Sequence, residues 1–144
     1  MTAVKVYRKK SGAALPFYAT SGAAGADLAA CIDADIVLYP AKRVKVPTGL
    51  VLEIPEGFEA QVRPRSGFAW KTGVTVLNAP GTIDSDYRGE LEILLVNLGS
   101  EPRTIKNGDR IAQLVVAPVV KANFKDGEPA PTGRGQGGFG STGT

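Results

Sequence analysis

Short apolar runs that alternate with polar residues recur along this chain, and most of them end near a glycine or a proline. Alternation with a period of two is typical of half-buried β-strands, whereas a surface helix repeats its apolar residues every three to four positions. The 18 glycines and 10 prolines would suit a disordered chain, but 43% of the residues are hydrophobic. We therefore predict a folded, strand-rich domain with many turns.

The alternation also predicts where the individual strands lie. A turn at Pro55-Glu56-Gly57 is predicted to join two of them as a hairpin. Only one segment has a convincing helical pattern, residues 67–72, for which Ser66 is a natural N-cap. The main strand candidates are residues 4–8, 36–38, 44–46, 50–54, 58–62 and 94–98.

Composition excludes several kinds of chemistry. The 144 residues are near the commonest domain size, so one domain suffices. The single cysteine, Cys31, cannot form a disulfide within the chain, and the absence of histidine excludes a Ser-His-Asp triad and a histidine-ligated zinc. Any catalysis must therefore use carboxylates, amides, hydroxyls and arginines.

The formal net charge of +3 is mild. It suits a ligand that carries phosphate but does not indicate nucleic acid, which usually requires a denser basic stripe. We interpret the one basic cluster, residues 5–10, as a solvated strand end. No secretory signal follows it, and the longest apolar stretch, residues 111–120, is too short to span a bilayer. We expect a soluble, cytoplasmic protein.

Residues 76–91 concentrate polar side chains around a tight turn. Leu91, Ile93 and Leu95 alternate with glutamates after the turn, which predicts an antiparallel hairpin. The turn carries an amide, two acids and an aromatic ring, among them Asp84 and Tyr87. Such a tip could read the edge of a flat base through unpaired backbone groups, although a surface hairpin with solvated acids has the same composition.

Three polar positions outside this stretch have two interpretations each. Asp27 is either a turn acid or a contact to a metal-bound water. Arg65 and Ser66 precede the predicted helix, where free N–H groups attract anions, yet an ordinary capped helix would look the same. Gln113 lies among apolar residues, so its amide is either satisfied in the core or bound to a ligand.

The C-terminal segment differs from the rest of the chain. Residues 121–132 are polar and interrupted by proline, and a glycine-rich stretch follows. The glycines do not form a Walker loop, because the Gly-Lys-Ser/Thr ending is missing. Arg134 and Phe139 could contact phosphate and an aromatic ring, which suggests a lid that orders over a nucleotide.

Five short motifs occur in order along the chain, and together they resemble the trimeric deoxyuridine triphosphatases, the dUTPases. They extend almost from end to end, and such an order is difficult to obtain by chance. The motifs are AGADL at 24–28, RSG at 65–67, NAPGTIDSDYRG at 78–89, GDRIAQ at 108–113 and RGQGGFGST at 134–142.

The resemblance implies an all-β fold, a jelly-roll-like β-barrel with one short helix, formed by residues 1–120. Residues 121–144 would be a flexible C-terminal arm that carries the glycine-rich lid. The resemblance further implies a homotrimer with active sites at subunit junctions. Its activity would be the Mg²⁺-dependent hydrolysis of dUTP to dUMP and pyrophosphate, which keeps uracil out of DNA.

The same resemblance assigns residues to this reaction. Asp84 would be the general base for the water that attacks the α-phosphorus, and Asp27 would touch Mg²⁺ through water only. Tyr87 would stack under deoxyribose and exclude a 2′-hydroxyl. Asp86, Arg88 and Arg110 would bridge strands or subunits. The remaining substrate contacts would be Arg65, Ser66, Gly67 and Gln113 at the phosphates, Asn78, Gly81, Thr82, Ile83 and Glu92 at uracil, and Arg134, Phe139, Gly140, Ser141 and Thr142 from the arm.

Two other functions stay open at this point. A dCTP deaminase-type relative shares the fold, but it would need a glutamate base beside the cytosine ring and would release ammonia. A non-catalytic dUTP-binding trimer would bind the nucleotide without turnover. The hairpin with Asp84 and Tyr87 favours the phosphatase-type reaction over the deaminase.

Overall fold

The structure is a computed structural model that describes residues 2–143. Within this range the chain forms eleven strands and one helix, α1, Ser66–Thr72, so the strand-rich prediction is confirmed. No helix in this range is long and apolar enough to cross a membrane. The strands are β1 Lys5–Arg8, β2 Ala26–Ala29, β3 Ile36–Leu38, β4 Arg43–Pro47, β5 Leu50–Glu53, β6 Phe58–Arg63, β7 Val74–Val76, β8 Gly81–Ile83, β9 Glu92–Asn97, β10 Arg103–Ile105 and β11 Arg110–Pro118.

The strands form four small sheets in which all described pairs are antiparallel. Two sheets are pairs, β1–β5 and β3–β10, and a third has the order β4–β9–β7. The largest has the order β2–β11–β6–β8. Gln113 on β11 lies opposite Asp27 on β2 and opposite Arg63 on β6. Because opposite residues share a face of the sheet, this register brings the motifs at 108–113 and 24–28 together. The motif at 65–67 begins two residues after Arg63 and is therefore close to both.

One apolar cluster fills the space between the sheets. Its buried side chains come from nine of the eleven strands, β2 to β7 and β9 to β11. On β9 the predicted alternation is confirmed, since Ile93 and Leu95 are fully buried while Glu92 is exposed. A fully buried side chain of this size contributes about 1.5–3 kcal/mol, so this cluster stabilises the packing of the sheets against one another.

The predicted hairpin between residues 50–54 and 58–62 is wrong in its pairing. The turn itself exists, because the Phe58 N–H donates to the carbonyl of Pro55 at 3.2 Å and Gly57 has a φ of 84°. However, β5 pairs with β1, whereas β6 pairs with β11 and β8. The turn therefore carries the chain from one sheet to another, and both strands bury apolar residues in the common core.

The predicted start of the helix is also wrong by one residue. Arg65 is the N-cap, with extended backbone and no side-chain capping hydrogen bond, and Ser66 is the first helical residue. The carbonyl of Arg65 accepts the first helical hydrogen bond, from Ala69 at 2.9 Å. The helix ends at Thr72, and its C-cap is Gly73, whose φ of 72° is the left-handed conformation that glycine adopts without strain.

Candidate active site

The hairpin predicted around residues 76–91 exists and has an additional strand within it. Its base is the pair β7–β9, in which Val76 lies opposite Leu95. Between these strands the chain forms β8, which leaves the hairpin and pairs with β6. Since β8 is the last strand of its sheet, one of its edges has no strand partner among the described residues. The sequence did not predict this strand.

A cavity of about 250 Å³ lies in the hairpin, and we call it the hairpin cavity. It brings together Asp84, Tyr87 and Glu92, three of the side chains that the sequence analysis assigned to the site. Lys45 on β4 also lines it and was missed, because nothing in a strand pattern shows which cavity a residue faces. Lys45 Nζ lies 3.0 Å from Glu92 Oε2, so the carboxylate of Glu92 is already paired. The full lining is Lys45, Thr82, Ile83, Asp84, Tyr87, Glu90, Leu91, Glu92 and Leu94.

Asp84 directly follows β8 and is exposed. Its backbone carbonyl accepts a hydrogen bond from the N–H of Tyr87 at 3.2 Å, which closes the turn. Within the described part of the chain, the Asp84 carboxylate has no ion pair, in contrast to Glu92. Its carboxylate oxygens are therefore available to a ligand or a water.

Tyr87 is held by its own turn. Its hydroxyl donates to the carbonyl of Glu90 at 3.1 Å, and its ring lies against the backbone of Gly89. A Cβ at Gly89 would overlap the Tyr87 ring and hydroxyl, so the ring can keep this position only while residue 89 has no side chain. Arg88 donates to the carbonyls of Ser85 and Tyr87, and thus braces this turn instead of another strand.

Asn78 is exposed at the start of the turn, close to β8. Its amide nitrogen lies 3.1 Å from the position that a Cβ on Gly81 would occupy. The Asn78 side chain therefore lies over the backbone of Gly81, where its amide can offer both a donor and an acceptor beside the strand edge.

A second group of polar residues surrounds the start of α1. Asp27 on β2 is buried, with 8% of its surface exposed, and each of its oxygens accepts a hydrogen bond from an arginine. Arg65 Nε donates to Oδ1 at 2.9 Å, and Arg110 Nη1 donates to Oδ2 at 3.0 Å. The predicted bridging by Arg110 is confirmed, because it connects β11 with β2. Both arginines line a cavity of about 280 Å³ with Gly67 and Lys71, which we call the arginine cavity.

Gln113 is partly buried beside this group. Its Nε2 donates to the carbonyl of Pro64 at 2.9 Å, directly before Arg65 in the chain. Its Oε1 lies so close to Gly25 that a Cβ on that glycine would overlap it. The NH₂ group of the amide is thus hydrogen-bonded within the protein. The side chain lies between the motifs at 24–28 and 65–67, close to the arginines.

The residues after β11 form no strand or helix up to residue 143. Phe139 is fully exposed and has a φ of 49°. Arg134 Nε donates to the carbonyl of Gly137 at 2.7 Å, so the guanidinium is bound within its own turn. The structure therefore does not place the arm over the hairpin cavity of the same chain.

A sequence model of the dUTPase family matches residues 11–143. The chain belongs to the dUTPase family. The deoxyuridine 5′-triphosphate nucleotidohydrolase of Brucella melitensis biotype 2 is 57% identical to it over 136 residues, covering 92% of this chain and 87% of that protein. The protein of the same name from Hydrogenobaculum sp. is 55% identical over 139 residues and 96% of each chain.

Solved dUTPases have the same fold. A point mutant of the dUTPase from Staphylococcus bacteriophage 80alpha, solved with dUpNHpp, is similar with a TM-score of 0.85. The match covers 100% of both chains at 26% sequence identity. Together with the observed sheets, this likeness confirms the predicted all-β, jelly-roll-like dUTPase fold.

Three of the four basic residues in the cluster at residues 5–10 of this dUTPase are paired with acids. Lys5, Lys9 and Lys10 each form an ion pair with an acid, at 2.9–3.1 Å. The hydrogen bond from Lys10 to Asp33 raises the pKa of the lysine, and the hydrogen bond from Lys5 lowers the pKa of Glu53. These positive charges are thus paired on the surface, as the interpretation of a solvated strand end requires.

Proposed function

We propose that this protein hydrolyses dUTP to dUMP and pyrophosphate, and so keeps uracil out of DNA. The observation that carries the proposal is the hairpin cavity, where Asp84, Tyr87 and two residues of β8, Thr82 and Ile83, line one space. A carboxylate without an ion pair can accept a proton, an aromatic ring can support a sugar, and a strand edge can read a base. Membership of the dUTPase family supports the same reaction.

Uracil would be read by the edge of β8 and by Asn78. An edge strand offers unpaired N–H and C=O groups, which complement the N–H and carbonyl groups of the pyrimidine edge. Asn78 can donate and accept beside Gly81, and Thr82 and Ile83 line the cavity itself. We expect the narrow hairpin to have no room for the methyl group of thymine. Glu92 would contribute from the returning strand, paired with Lys45.

Tyr87 would select deoxyribose. Its ring is fixed between the carbonyl of Glu90 and the backbone of Gly89, and it borders the cavity that contains Asp84. A sugar stacked on this ring would have no space for a 2′-hydroxyl, so discrimination against UTP would be mainly steric.

The phosphates would bind around the start of α1. Arg65 supplies the charged N–H donors that its bonds to Asp27 and Arg110 leave free, and Ser66 and Gly67 follow it with backbone N–H groups in the first helical turn. Gln113 lies beside Arg65 through its bond to Pro64, and would contact the α-phosphate and the attacking water.

The reaction would need one proton transfer by the protein. The attacking water would give its proton to Asp84 as its oxygen bonds to the α-phosphorus. The bond from the α-phosphorus to the bridging oxygen would break, and pyrophosphate would leave with the electron pair. Asp84 would afterwards release the proton to solvent, ready for another turnover.

Mg²⁺ would be the cofactor, held chiefly by the phosphates and by water. The described residues contain no group of three or more histidines, cysteines, aspartates or glutamates that could hold a metal, which fits an ion that keeps much of its hydration. Each oxygen of Asp27 accepts one arginine hydrogen bond and retains a lone pair for a metal-bound water. When bound, Mg²⁺ would neutralise part of the phosphate charge.

The active site would be completed by other subunits of a homotrimer. The hairpin cavity and the arginine cavity have no lining residue in common, although one nucleotide would need both. We propose that residues 1–120 form the barrel domain and that residues 121–144 form an arm that closes over a site at a subunit junction. The arm residues that would cover the nucleotide are Arg134, Phe139, Gly140, Ser141 and Thr142.

Product analysis tests this function. The purified protein is incubated with Mg²⁺ and, separately, dUTP, dCTP, dTTP or UTP, and monophosphate, pyrophosphate and ammonia are measured. We expect pyrophosphate from dUTP alone. Ammonia from dCTP would show a deaminase, and binding of dUTP without any product would show a non-catalytic trimer.

A further inference from the structure

The buried carboxylate of Asp27 is bound by two protein side chains, which a role in binding only a metal-bound water would not require. Both of its oxygens are occupied by arginines, Arg65 at 2.9 Å and Arg110 at 3.0 Å. Only 10% of its side chain is exposed, and a buried charge is retained only when it is paired. Two positive groups on one negative group leave a net positive charge beside the arginine cavity.

The guanidinium of Arg65 is fixed at two points. Nε binds the Asp27 carboxylate, and Nη1 donates to the backbone carbonyl of Arg110 at 3.1 Å. Its partners come from β2 and β11, which pair with each other in the same sheet. The orientation of Arg65 is therefore set by the barrel and not by the helix that it caps.

Fixing an arginine in advance changes what it contributes to binding. A free arginine side chain samples many rotamers, and this rotamer entropy is lost when the side chain is ordered on a ligand. When the protein has already ordered the side chain, this cost is removed from binding. Arg65 also lines the arginine cavity, so that its remaining donors can meet a phosphate there.

We propose that Asp27 is a positioning residue, which orients Arg65 for the phosphates before the nucleotide binds, with Arg110 holding Asp27 from the other side. The proposal rests on the function proposed above, in which Arg65 binds the phosphates. It differs from a contact to metal-bound water, because positioning of Arg65 acts even when no metal is present.

The test measures the affinity for the dUTP analogue dUpNHpp by calorimetry, in EDTA and again in Mg²⁺. The proteins are the wild type, Asp27→Asn, Arg65→Gln and the double variant. Asparagine has nearly the same shape as aspartate, but its NH₂ group is a donor and cannot accept a hydrogen bond from the arginine that it faces. We expect Asp27→Asn to weaken binding about tenfold in EDTA, a step that corresponds to one lost hydrogen bond.

The double variant shows whether Asp27 acts through Arg65. If it does, Asp27→Asn causes no further loss of affinity once Arg65 is glutamine. Asp33→Asn is the matched control, since this exposed acid is paired with Lys10 away from both cavities, and it should bind like the wild type. If Asp27→Asn does not fold, Arg110→Gln serves as the second variant. It should cause a smaller loss of affinity, and this loss should be absent when Arg65 is also replaced by glutamine.

Two results would overturn the inference alone. One is Asp27→Asn with wild-type affinity in EDTA and weakened binding only in Mg²⁺, which would mean that Asp27 acts through the metal. The other is an undiminished loss in the Arg65→Gln background. Failure of the wild type to bind dUpNHpp in either condition would overturn the proposed function as well, so the two failures are distinguishable.

Discussion

Replacement of Gly89 by alanine tests how the hairpin holds the ring of Tyr87. A Cβ at this position would overlap the hydroxyl oxygen, Cζ and Cε2 of the tyrosine. The φ of Gly89 lies outside the left-handed region, so alanine introduces a steric conflict without backbone strain. The ring must therefore move, and its hydrogen bond to the carbonyl of Glu90 must break.

The consequence should be small for folding and larger for substrate choice. The lost hydrogen bond is worth about 0.5–1.5 kcal/mol, and Tyr87 is half exposed and can turn toward solvent. We therefore expect the free energy of unfolding to fall by about 1 kcal/mol. A hydrophobic pocket discriminates against one added hydroxyl by about 10²-fold. Displacement of the ring should therefore lower the preference for dUTP over UTP by about tenfold or more.

The assay is kcat/KM for dUTP and for UTP with the wild type, Gly89→Ala and Gly12→Ala. Gly12 is a matched control, because a Cβ there meets no other group within 4 Å and its φ is not positive. We expect the ratio of the two kcat/KM values to fall only for Gly89→Ala. An unchanged ratio in that variant would refute the argument that Gly89 places the tyrosine ring for sugar selection.

Three further substitutions have defined outcomes. Asp84→Asn should change the free energy of unfolding by no more than about 0.5 kcal/mol, because the side chain is on the surface. In steady-state assays it should lower kcat by about 10²–10⁴-fold, and full activity would exclude Asp84 as the base. Gly25→Ala should displace the Gln113 amide and lower kcat/KM up to about tenfold, unlike Gly12→Ala. Asn97→Ala should lower Tm by about 6–12 °C in a thermal melt, because three backbone groups lose the side chain that they bind by hydrogen bonds. A shift within about 2 °C would contradict this.

The individual faces of the strands could be predicted from the sequence, but their partners could not. Alternation in β9 places Ile93 and Leu95 inside because a half-buried strand shows its two faces directly in its residues. Pairing depends on contacts between distant segments, and the turn at Pro55 is compatible with a hairpin or with a crossing between sheets. β8 directly follows Pro80 and begins with Gly81, in a stretch that has the composition of a turn, so the sequence pattern did not indicate a strand there.

The candidate site was predicted in its residues but not in its contacts. The motifs identified Asp27 and Arg65, yet nothing in their spacing shows that they are paired, since 38 residues separate them and 83 separate Asp27 from Arg110. Ser66 has a high N-cap propensity, but Arg65 takes that position, where its side chain is held by the barrel. No feature of the sequence indicated Lys45 as a site residue, because only the folded sheets place it beside Glu92.

Hydrolysis of dUTP in H₂¹⁸O with Mg²⁺ tests the central claim most directly. Mass spectrometry of both products shows which phosphorus the water attacks. Attack at the α-phosphorus by water predicts one ¹⁸O atom in dUMP and none in pyrophosphate. Label in pyrophosphate, or release of inorganic phosphate in its place, would contradict the proposed reaction.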